Sequence, residues 1–599
     1  MATSTTQPTF FDDLKRDLRD VWGAMEDGFD KTAVSIRNTL RKMRDESVDY
    51  VVIPLEGSLP ERNAPPRSFI ERKLPLLPPP PMTMQRLNWR LNAIAQADNV
   101  NGVLFVLRGL HTGLATAQNL RRAIQRLGEA GKKTAVFTPY LDLTHYYVAT
   151  AADTIIIPPG AQFNVLGLRS EVTFYKNSLD RLGVRAQAIQ ISPYKSGPDP
   201  FTRADMSDEH KEQIDWLFGG LFDLLVEEMG AGRGKTAVEI KDLINRAPFF
   251  ARTALDEGLV DLIAYEDEIA QAIAEMMKPD AEDVKPRKLS SWGDAYPQLM
   301  EKPRRYHKKY IGVVSLSGTI GMGPSHQPPI DLPLPIGGGA MAGEQTLLRL
   351  LRKAEKEKDM AALIFHVDTP GGSALASDLI GRQIERIGKK KPVLVYMGDV
   401  AASGGYYVSA YAKHIMSQSA TITGSIGVWS IYFNTQELYE KLSLNRVSMA
   451  WGDHADLYSD AAPLTEERRK IFWDGVVESY DRFKEVVANG RSLPIDELDP
   501  ICEGRVWLGT QAMAHKLVDS HGDFVDAVRK TAVLADLPID THHIDVINLY
   551  AKHDDHILPA AFDAADTFTE IARTLSGQRW RELGNQPLMM LPFDIRVGE

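Results

Sequence analysis

The sequence has one cysteine, Cys502, in 599 residues, and it lacks any long apolar run. A single cysteine cannot form a disulfide within the chain or supply the ligands of a structural zinc site, so we expect neither. No stretch reaches the about 18 apolar residues that a membrane-spanning helix needs. No basic stretch followed by an apolar one opens the sequence, so no secretory signal is predicted. We therefore expect the chain in the cytoplasm or peripherally on a membrane face.

The sequence has fewer basic than acidic residues: 69 lysines and arginines against 80 aspartates and glutamates, which gives a net charge of −11. This balance argues against a dedicated nucleic-acid-binding protein, which normally carries a basic surplus. Charged residues make up 25% and hydrophobic residues 44% of the chain, as in ordinary globular proteins. The length predicts several units of roughly 150 residues each.

Residues 1–48 are predicted to form a separate amphipathic helical segment. Its apolar side chains recur at three- and four-residue spacing, at Phe11, Leu14, Leu18, Val21, Trp22, Met25 and Phe29. The apolar stripe could pack on the chain itself or on a sister subunit, or it could make a peripheral membrane contact. At the other end, residues 546–599 are predicted as a C-terminal extension with a helical pattern over 559–583.

The most informative pattern is an internal repeat. The motif Tyr-Tyr-Val occurs at 146–148 and again at 406–408, and GVLFVLRGLHTG at 102–113 resembles ALIFHVDTPGGS at 362–373. Helical patterns alternate with short apolar runs, which is typical of βαβ units in a mainly parallel sheet. The predicted strands are 102–107, 133–138, 154–157, 311–316, 361–367, 392–397 and 414–417, after a first strand at 50–55.

We therefore predict an α/β protein made of two tandem copies of one unit with appended helices. The first copy covers 49–278, the second covers 311–545, and residues 279–310 form a linker. Each copy carries a helical region, at 207–229 and at 465–489, after its sheet strands.

Two glycine-marked turns follow neighbouring strands of the second copy. The first turn is 368–373, Asp-Thr-Pro-Gly-Gly-Ser, and the second is 398–405, which contains Ser403 among small residues. Uncovered amides at a helix start can hold a developing negative charge, and small neighbours let a carbonyl approach a serine Oγ. Alone, each turn is compatible with a structural N-cap. As a pair, they predict a nucleophile next to an oxyanion site.

A nucleophilic serine needs a base, and no histidine occurs in the next turn, 421–427. His366 and His414 fall on predicted strands, where hydrogen-bonded core histidines are the simpler interpretation. An arrangement based on His366 stays open as a minor alternative.

Lys195, in the turn 192–198 of the first copy, is the better candidate base. Taken alone, the position of this lysine is typical of a solvated surface group. When the copies are aligned, however, the first has Leu143 at the position of Ser403, and the second has Asp453 at the position of Lys195. Each copy lacks what the other has, which predicts one composite site with a base from the first copy and a nucleophile from the second.

Four segments closely resemble the long, tandem-repeat form of signal peptide peptidase A, or protease IV: PYKSGPDPFTRADMS at 193–207, HVDTPGGSALAS at 366–377, DVAASGGYYVSAYA at 399–412 and ATITGSIGV at 420–428. The resemblance extends over about residues 50–545. It implies a ClpP/crotonase-like fold and a Ser–Lys dyad, with Ser403 as nucleophile and Lys195 as general base. Ser425 matches the serine that hydrogen-bonds the lysine in that family. The amides of Gly372 and Gly404 are our oxyanion candidates.

The resemblance also implies a function and partners. We expect a serine endopeptidase that cleaves apolar peptides, such as released signal peptides, without a metal or organic cofactor. The family implies a homotetramer that faces a membrane, although its usual N-terminal transmembrane anchor is not predicted in this sequence. Two alternatives stay open: a crotonase-type acyl-thioester enzyme, whose fold also holds an oxyanion on glycine amides, and a membrane-associated scaffold whose peptidase site is vestigial.

Overall fold

The structure is a computed structural model, which describes residues 31–43, 47–66, 80–278, 280, 284–302, 307–326, 339–539, 544–551 and 587–590. The apolar stripe predicted between Phe11 and Phe29, and the helical pattern at 559–583, lie outside the described residues. Within the described ranges, no helix combines the length and the apolar character needed to cross a membrane.

The first copy is built on a six-stranded sheet in which every neighbouring pair is parallel, in the order β8-β4-β3-β2-β1-β9. Its central strands are covered on both faces and therefore read as continuous apolar runs, with Val103 to Leu107 buried in β2. The strands in this half are β1 Val48–Gly57, β2 Val100–Leu110, β3 Lys133–Phe137, β4 Thr154–Ile157, β5 Gln162–Phe163, β6 Arg185–Gln190, β7 Phe249–Phe250, β8 Leu262–Ile263 and β9 Leu289–Ser291.

The second copy repeats this sheet with the same strand order, β21-β10-β13-β15-β16-β20, and again all neighbours are parallel. Strand β17 extends the sheet beside the far end of β15, and β19 pairs with β17 antiparallel. The predicted α/β fold with two tandem copies is confirmed. The strands in this half are β10 Tyr310–Ser317, β11 Thr319–Gly321, β12 Met341–Gly343, β13 Met360–Thr369, β14 Gly371–Ser373, β15 Val393–Ala402, β16 His414–Ser417, β17 Ile422–Gly424, β18 Trp429–Asn434, β19 Val506–Leu508, β20 Ser520–His521, β21 Val546–Asn548 and β22 Leu588–Met590.

The two long helices predicted after the sheet strands are present, as Asp208–Arg233 and Glu466–Arg491. Each begins after a hydroxyl side chain that accepts a hydrogen bond from the first turn, Ser207 in one and Thr465 in the other. The other α-helices are residues 31–43, Met84–Gln96, Leu114–Glu129, Leu143–Ala149, Lys176–Leu182, Asp199–Thr202, Ala237–Arg246, Ala251–Asp256, Ile269–Met277, Trp292–Ala295, Glu344–Lys356, Ala374–Gly388, Gly404–Ser409, Gln436–Lys441, Gly509–Ala514 and Phe524–Leu534.

A third sheet joins the two copies, in the order β12-β11-β14-β22-β18-β6. Strand β6 belongs to the first copy, and it pairs antiparallel with β18 of the second over six residues, from Arg185 opposite Asn434 to Gln190 opposite Trp429. This pairing brings the loop after β6, which contains Lys195, onto the second copy.

Two edge strands lie in segments predicted to be outside the copies. Strand β9, in the predicted linker, pairs with β1, and β21, in the predicted C-terminal extension, pairs with β10. The two strands occupy equivalent sheet edges, so each copy recruits a short strand from the chain that follows it.

The helix over residues 31–43, the described part of the predicted N-terminal segment, is attached to its own chain. Asn38 Nδ2 donates to the Glu301 carbonyl at 2.8 Å, and the Arg41 guanidinium lies 3.2 Å from the Glu301 carboxylate. This portion of the segment therefore packs against the region between the copies.

Candidate active site

Ser403 lies at the junction between β15 and the helix Gly404–Ser409. The sequence pattern predicted that this strand ends at residue 397, but β15 continues to Ala402, because its distal half pairs with β17. Ser403 then adopts φ 54° and ψ −111°, a left-handed conformation that non-glycine residues seldom occupy. Its amide donates to the Gly424 carbonyl at 2.8 Å and its carbonyl accepts from the Tyr407 amide at 2.9 Å. The backbone therefore holds this serine in a sharp strand-to-helix turn.

Lys195 reaches Ser403 from the other copy. Its Nζ lies 2.7 Å from Ser403 Oγ. It also lies 2.8 Å from both the carbonyl oxygen and the Oγ of Ser425. The structure thus brings together the three side chains that the sequence singled out from three separate segments.

Burial determines the charge state of the lysine. Lys195, Ser403 and Ser425 are all completely buried. Removal from water lowers the pKa of Lys195 well below its usual value of 10.5, and burial is the only cause of this shift. A lowered pKa raises the fraction of neutral amine at a given pH, and the lone pair of a neutral amine can accept a proton from a serine hydroxyl.

Ser425 occupies a second left-handed position, with φ 51°, directly after β17. Its amide donates to the Arg505 carbonyl at 2.7 Å. Because both oxygens of Ser425 lie within hydrogen-bond distance of Lys195 Nζ, this residue fixes the direction in which the amine points.

Two glycines of the second copy make room for the loop 191–198, which contains Lys195 and is called the lysine loop below. Sequence reasoning missed both glycines. A Cβ at Gly504 would lie 2.6 Å from the Cβ and 2.7 Å from the Cα of Lys195, and a Cβ at Gly427 would lie 3.3 Å from its Cδ. Gly504 also has φ +86°, which favours glycine. No local signal distinguishes these glycines from turn glycines, because Lys195 is more than 200 positions away from both in the chain.

Of the two glycines proposed for the oxyanion site, Gly404 follows Ser403 directly in the chain. The Cα of Gly371 lies 3.3 Å from the Cβ that Gly404 lacks. Gly372 pairs with Ile320 on β11 and with Met589 on β22. Gly371 was not singled out in the sequence, although it stands in the same Pro-Gly-Gly motif.

The minor alternative with His366 as base is not supported by the contacts. His366 Nδ1 lies 3.3 Å from Ser315 Oγ, and its ring stacks on Tyr396. Burial lowers the pKa of His366 to about 3, with the Arg62 charge as the second cause. The described side chain that contacts Ser403 Oγ is Lys195.

The equivalent positions of the two copies differ as the alignment predicted. Leu143 opens the helix Leu143–Ala149 of the first copy, where Ser403 precedes the corresponding helix of the second. Asp453, the counterpart of Lys195, is exposed in a loop. Of the two side chains that meet between the copies, the first copy therefore supplies Lys195 and the second supplies Ser403.

Two interacting carboxyl groups, Asp368 and Asp399, lie in the second copy, and Asp399 also contacts the first copy. Asp399 lies on β15 and accepts hydrogen bonds from the amide and the hydroxyl of Thr116, at 2.9 and 2.7 Å. Thr116 is in the first turn of the helix Leu114–Glu129, whose N-cap, Gly113, has no capping side chain. Asp368 accepts from the Val400 amide at 3.1 Å. Burial, and then the charge of Asp399, raises the pKa of Asp368 to about 7.

We expect the raised pKa of Asp368 to make stability depend on pH. A carboxyl with a higher pKa in the folded than in the unfolded chain stabilises the fold at low pH, and this stability is lost as pH rises from about 4 through about 7. Because of this group, the unfolding free energy should fall by about 2 kcal/mol between pH 5 and pH 8, and Asp368→Asn should abolish that part of the fall. Urea denaturation at both pH values measures the unfolding free energy. The exposed Asp267 provides the control, Asp267→Asn, and equal pH dependence in both variants would contradict the prediction.

The comparisons with known proteins agree with the repeat. Residues 127–280 and 385–538 each match the model of peptidase family S49. The chain is 29% identical over 470 residues to the chloroplastic serine protease SPPA of Arabidopsis thaliana, covering 77% of this chain and 67% of that protein. It is 30% identical over 432 residues to protease 4 of Haemophilus influenzae, covering 70% and 67%.

Among solved structures, the chain is similar to a ClpP1 mutant from Listeria monocytogenes. The two share 12% sequence identity with a TM-score of 0.21, over 36% of this chain and 94% of that one.

Proposed function

The chain belongs to peptidase family S49, in the tandem-repeat form of signal peptide peptidase A, and from this premise we propose that it is a serine endopeptidase with a Ser–Lys dyad. In this proposal Ser403 is the nucleophile and Lys195 is the general base. The observation that carries it is the distance of 2.7 Å between Lys195 Nζ and Ser403 Oγ in a fully buried environment. A buried lysine with a lowered pKa and no carboxylate among the causes of that shift has the properties that a base requires.

The reaction follows from these groups. Neutral Lys195 accepts the proton of Ser403 as Oγ attacks the peptide carbonyl carbon. The amides beside the serine, of which Gly404 and Gly372 are our candidates, donate to the oxyanion. The Lys195 ammonium then protonates the leaving amine, and a water molecule, deprotonated by the same lysine, hydrolyses the acyl-enzyme. Ser425 holds the amine in position throughout.

Apolar peptides are the substrate class that we propose. Support comes from an apolar cluster formed by Phe201, Trp429, Ile431, Phe433 and Leu588. The cluster adjoins the lysine loop, since a Cβ at Gly197 would lie 2.9 Å from the Trp429 ring. An extended peptide passing the site would meet large apolar side chains on this side. Assembly into four chains and a peripheral membrane contact stay predictions.

Labelling with a fluorophosphonate tests the proposed nucleophile and base together. The reagent should modify Ser403, and the rate constant should reach its maximum at a lower pH than an exposed lysine would allow, because the pKa of Lys195 is lowered. It should fall on acidification, as the lysine becomes protonated. Peptide mapping of the adduct and rate constants from pH 5 to pH 10 measure both features. A rise only near pH 10, where an exposed lysine titrates, or an adduct on another residue, would contradict the proposal.

A further inference from the structure

The lysine loop is bonded to the second copy by a serine that the proposed reaction does not use. Ser192 lies three residues before Lys195 and is 9% exposed. Its hydroxyl donates to the Glu503 carbonyl oxygen at 2.5 Å. A side chain of the first copy is therefore bonded to the backbone of the second, three residues from the proposed base.

The same serine also shapes the turn that carries the base. Ser192 Oγ accepts a hydrogen bond from the Tyr194 amide at 3.2 Å, and the Ser192 carbonyl accepts from the Lys195 amide at 3.1 Å. This carbonyl also accepts from Gln190 Nε2 at 3.2 Å. A serine that bonds the amide two residues ahead closes a compact turn. The backbone of Lys195 is thus held by Ser192, which is itself held by the second copy.

The loop that accepts the serine hydroxyl, residues 503–505, also holds Ser425. The Arg505 carbonyl accepts from the Ser425 amide at 2.7 Å. A Cβ at Gly504 would lie 2.7 Å from the Lys195 Cα, so the middle of the loop packs on the backbone of the base. Ser425 Oγ lies 2.8 Å from Lys195 Nζ. One short loop of the second copy therefore determines the position of both the backbone and the amine of the lysine.

Glu503 is fixed from its other side by a tyrosine. Glu503 has φ +55°, a left-handed conformation that non-glycine residues seldom occupy, so surrounding contacts must hold it there. Its amide donates to the hydroxyl oxygen of Tyr480 at 3.1 Å, and Tyr480 is buried on the helix Glu466–Arg491. The residue that accepts the Ser192 hydroxyl is therefore anchored to the long helix of the second copy.

We propose that Ser192 is a positioning residue, which sets where the Lys195 amine stands relative to Ser403. It does so by bonding the loop 503–505, which also holds the other partner of the amine. The inference rests on the proposed function, because it concerns the base of that mechanism. Since base and nucleophile come from different copies, their alignment depends on contacts between the copies. Lys195 Nζ lies 2.7 Å from Ser403 Oγ, and a displacement of about 1 Å can cost about 100-fold in rate.

Ser192→Ala tests the inference. The alanine keeps the carbonyl that accepts from Lys195 but loses the hydroxyl that bonds Glu503 and Tyr194, so the lysine loop should move away from the loop 503–505. We expect kcat for an apolar peptide to fall about 10- to 100-fold because the base is displaced. KM should stay within about two-fold, because the change removes no group that is proposed to bind substrate. Ser192→Thr keeps a hydroxyl and should recover most of the lost kcat.

Thr138→Ala provides a matched control. Thr138 is completely buried in the first copy, and its Oγ1 accepts from the Tyr140 amide two residues ahead, at 3.3 Å, as Ser192 Oγ does from Tyr194. Its hydroxyl donates to the Tyr140 carbonyl at 2.7 Å and not to the second copy. Both alanine variants should lower the melting temperature, and only Ser192→Ala should lower kcat. Equal kcat values in the two variants, or no recovery with Ser192→Thr, would overturn the inference.

A second substitution separates this inference from the proposed mechanism. Tyr480→Phe removes the hydroxyl that accepts from Glu503 and leaves the bonds within the lysine loop intact, so it should also lower kcat. Because both changes act through Glu503, adding Tyr480→Phe to Ser192→Ala should lower kcat by less than about two-fold more. Independent, multiplying effects would overturn the inference. Full activity of Lys195→Met would instead overturn the proposed base, whatever the result at Ser192.

Discussion

Replacing Lys195 by methionine should lower kcat for peptide hydrolysis by about 10⁴-fold or more, and Ser403→Ala should have a similar effect. The methionine fills nearly the same volume but has no lone pair that can take the serine proton. The double variant should be hardly slower than either single one, because the two residues act as a unit. Steady-state hydrolysis of a fluorogenic apolar peptide measures the loss. Residual activity above about 10% of the unmodified chain would contradict the dyad.

The chain provides a matched control in a second buried lysine. Lys132 is 9% exposed, and its Nζ donates to the carbonyls of Ala97 and Val100, at 2.6 and 2.8 Å. It directly precedes β3 of the first copy, and its hydrogen bonds go to these two backbone carbonyls rather than to Ser403. Lys132→Met should lower the melting temperature but leave kcat unchanged. A similar loss of kcat in both variants would mean that burial of any lysine affects activity through the fold.

Replacing Lys195 by methionine should abolish activity without lowering the stability of the fold. At neutral pH the unfolded chain carries Lys195 protonated, whereas burial favours the neutral amine in the folded chain. Folding therefore releases a proton, which costs free energy below the ordinary pKa of 10.5. The methionine variant avoids this cost and loses the contacts with Ser403 and Ser425. We expect its melting temperature to be equal or higher at pH 7, and a melting temperature well below that of Lys132→Met would show that Lys195 is structural.

Long elements were predictable because their patterns are local. The buried strands β2, β13 and β15 read as apolar runs between helical patterns, and the duplicated motif at 146–148 and 406–408 indicated that the sheet would occur twice. Comparison of the copies also singled out Lys195 and Ser403, because each copy lacks one of them. The predicted strand ends were less accurate: β15 runs on to Ala402, since its pairing with β17 extends it through residues that look like a turn.

Elements formed by distant pairing could not be predicted. Strands β9, β21 and β22 have three residues each, too few to show a period of two. They form because the edge of an existing sheet, or the gap between two of its strands, pairs with their backbone. The pairing of β6 with β18 joins residues about 240 positions apart, and the packing of Gly504 on Lys195 depends on it. Such contacts are decided by tertiary structure, which a local pattern does not encode.

The second large effect is expected from Gly504→Ala. The added Cβ would lie 2.6 to 2.8 Å from the Cβ, Cα and N of Lys195, too close for any of them to remain in place. The lysine loop must therefore shift by about 1 Å, which is enough to cost about 100-fold in kcat/KM when a proton has to pass between aligned atoms. The fluorophosphonate rate constant at Ser403 should fall in parallel, since the same proton transfer limits it.

Backbone strain alone could also reduce activity, and Gly452→Ala separates the two causes. Gly452 has φ +105°, and a Cβ there would have no neighbour within 4 Å, whereas Gly504 has φ +86° and the lysine loop against it. Both alanines adopt an unfavourable left-handed conformation, so backbone strain should cost each variant about 1 to 2 kcal/mol of unfolding free energy, and Gly504→Ala should lose more because of its contact with Lys195. Only Gly504→Ala should lose activity. If the two variants hydrolyse peptide equally fast, the second copy does not position the base of the first through this contact.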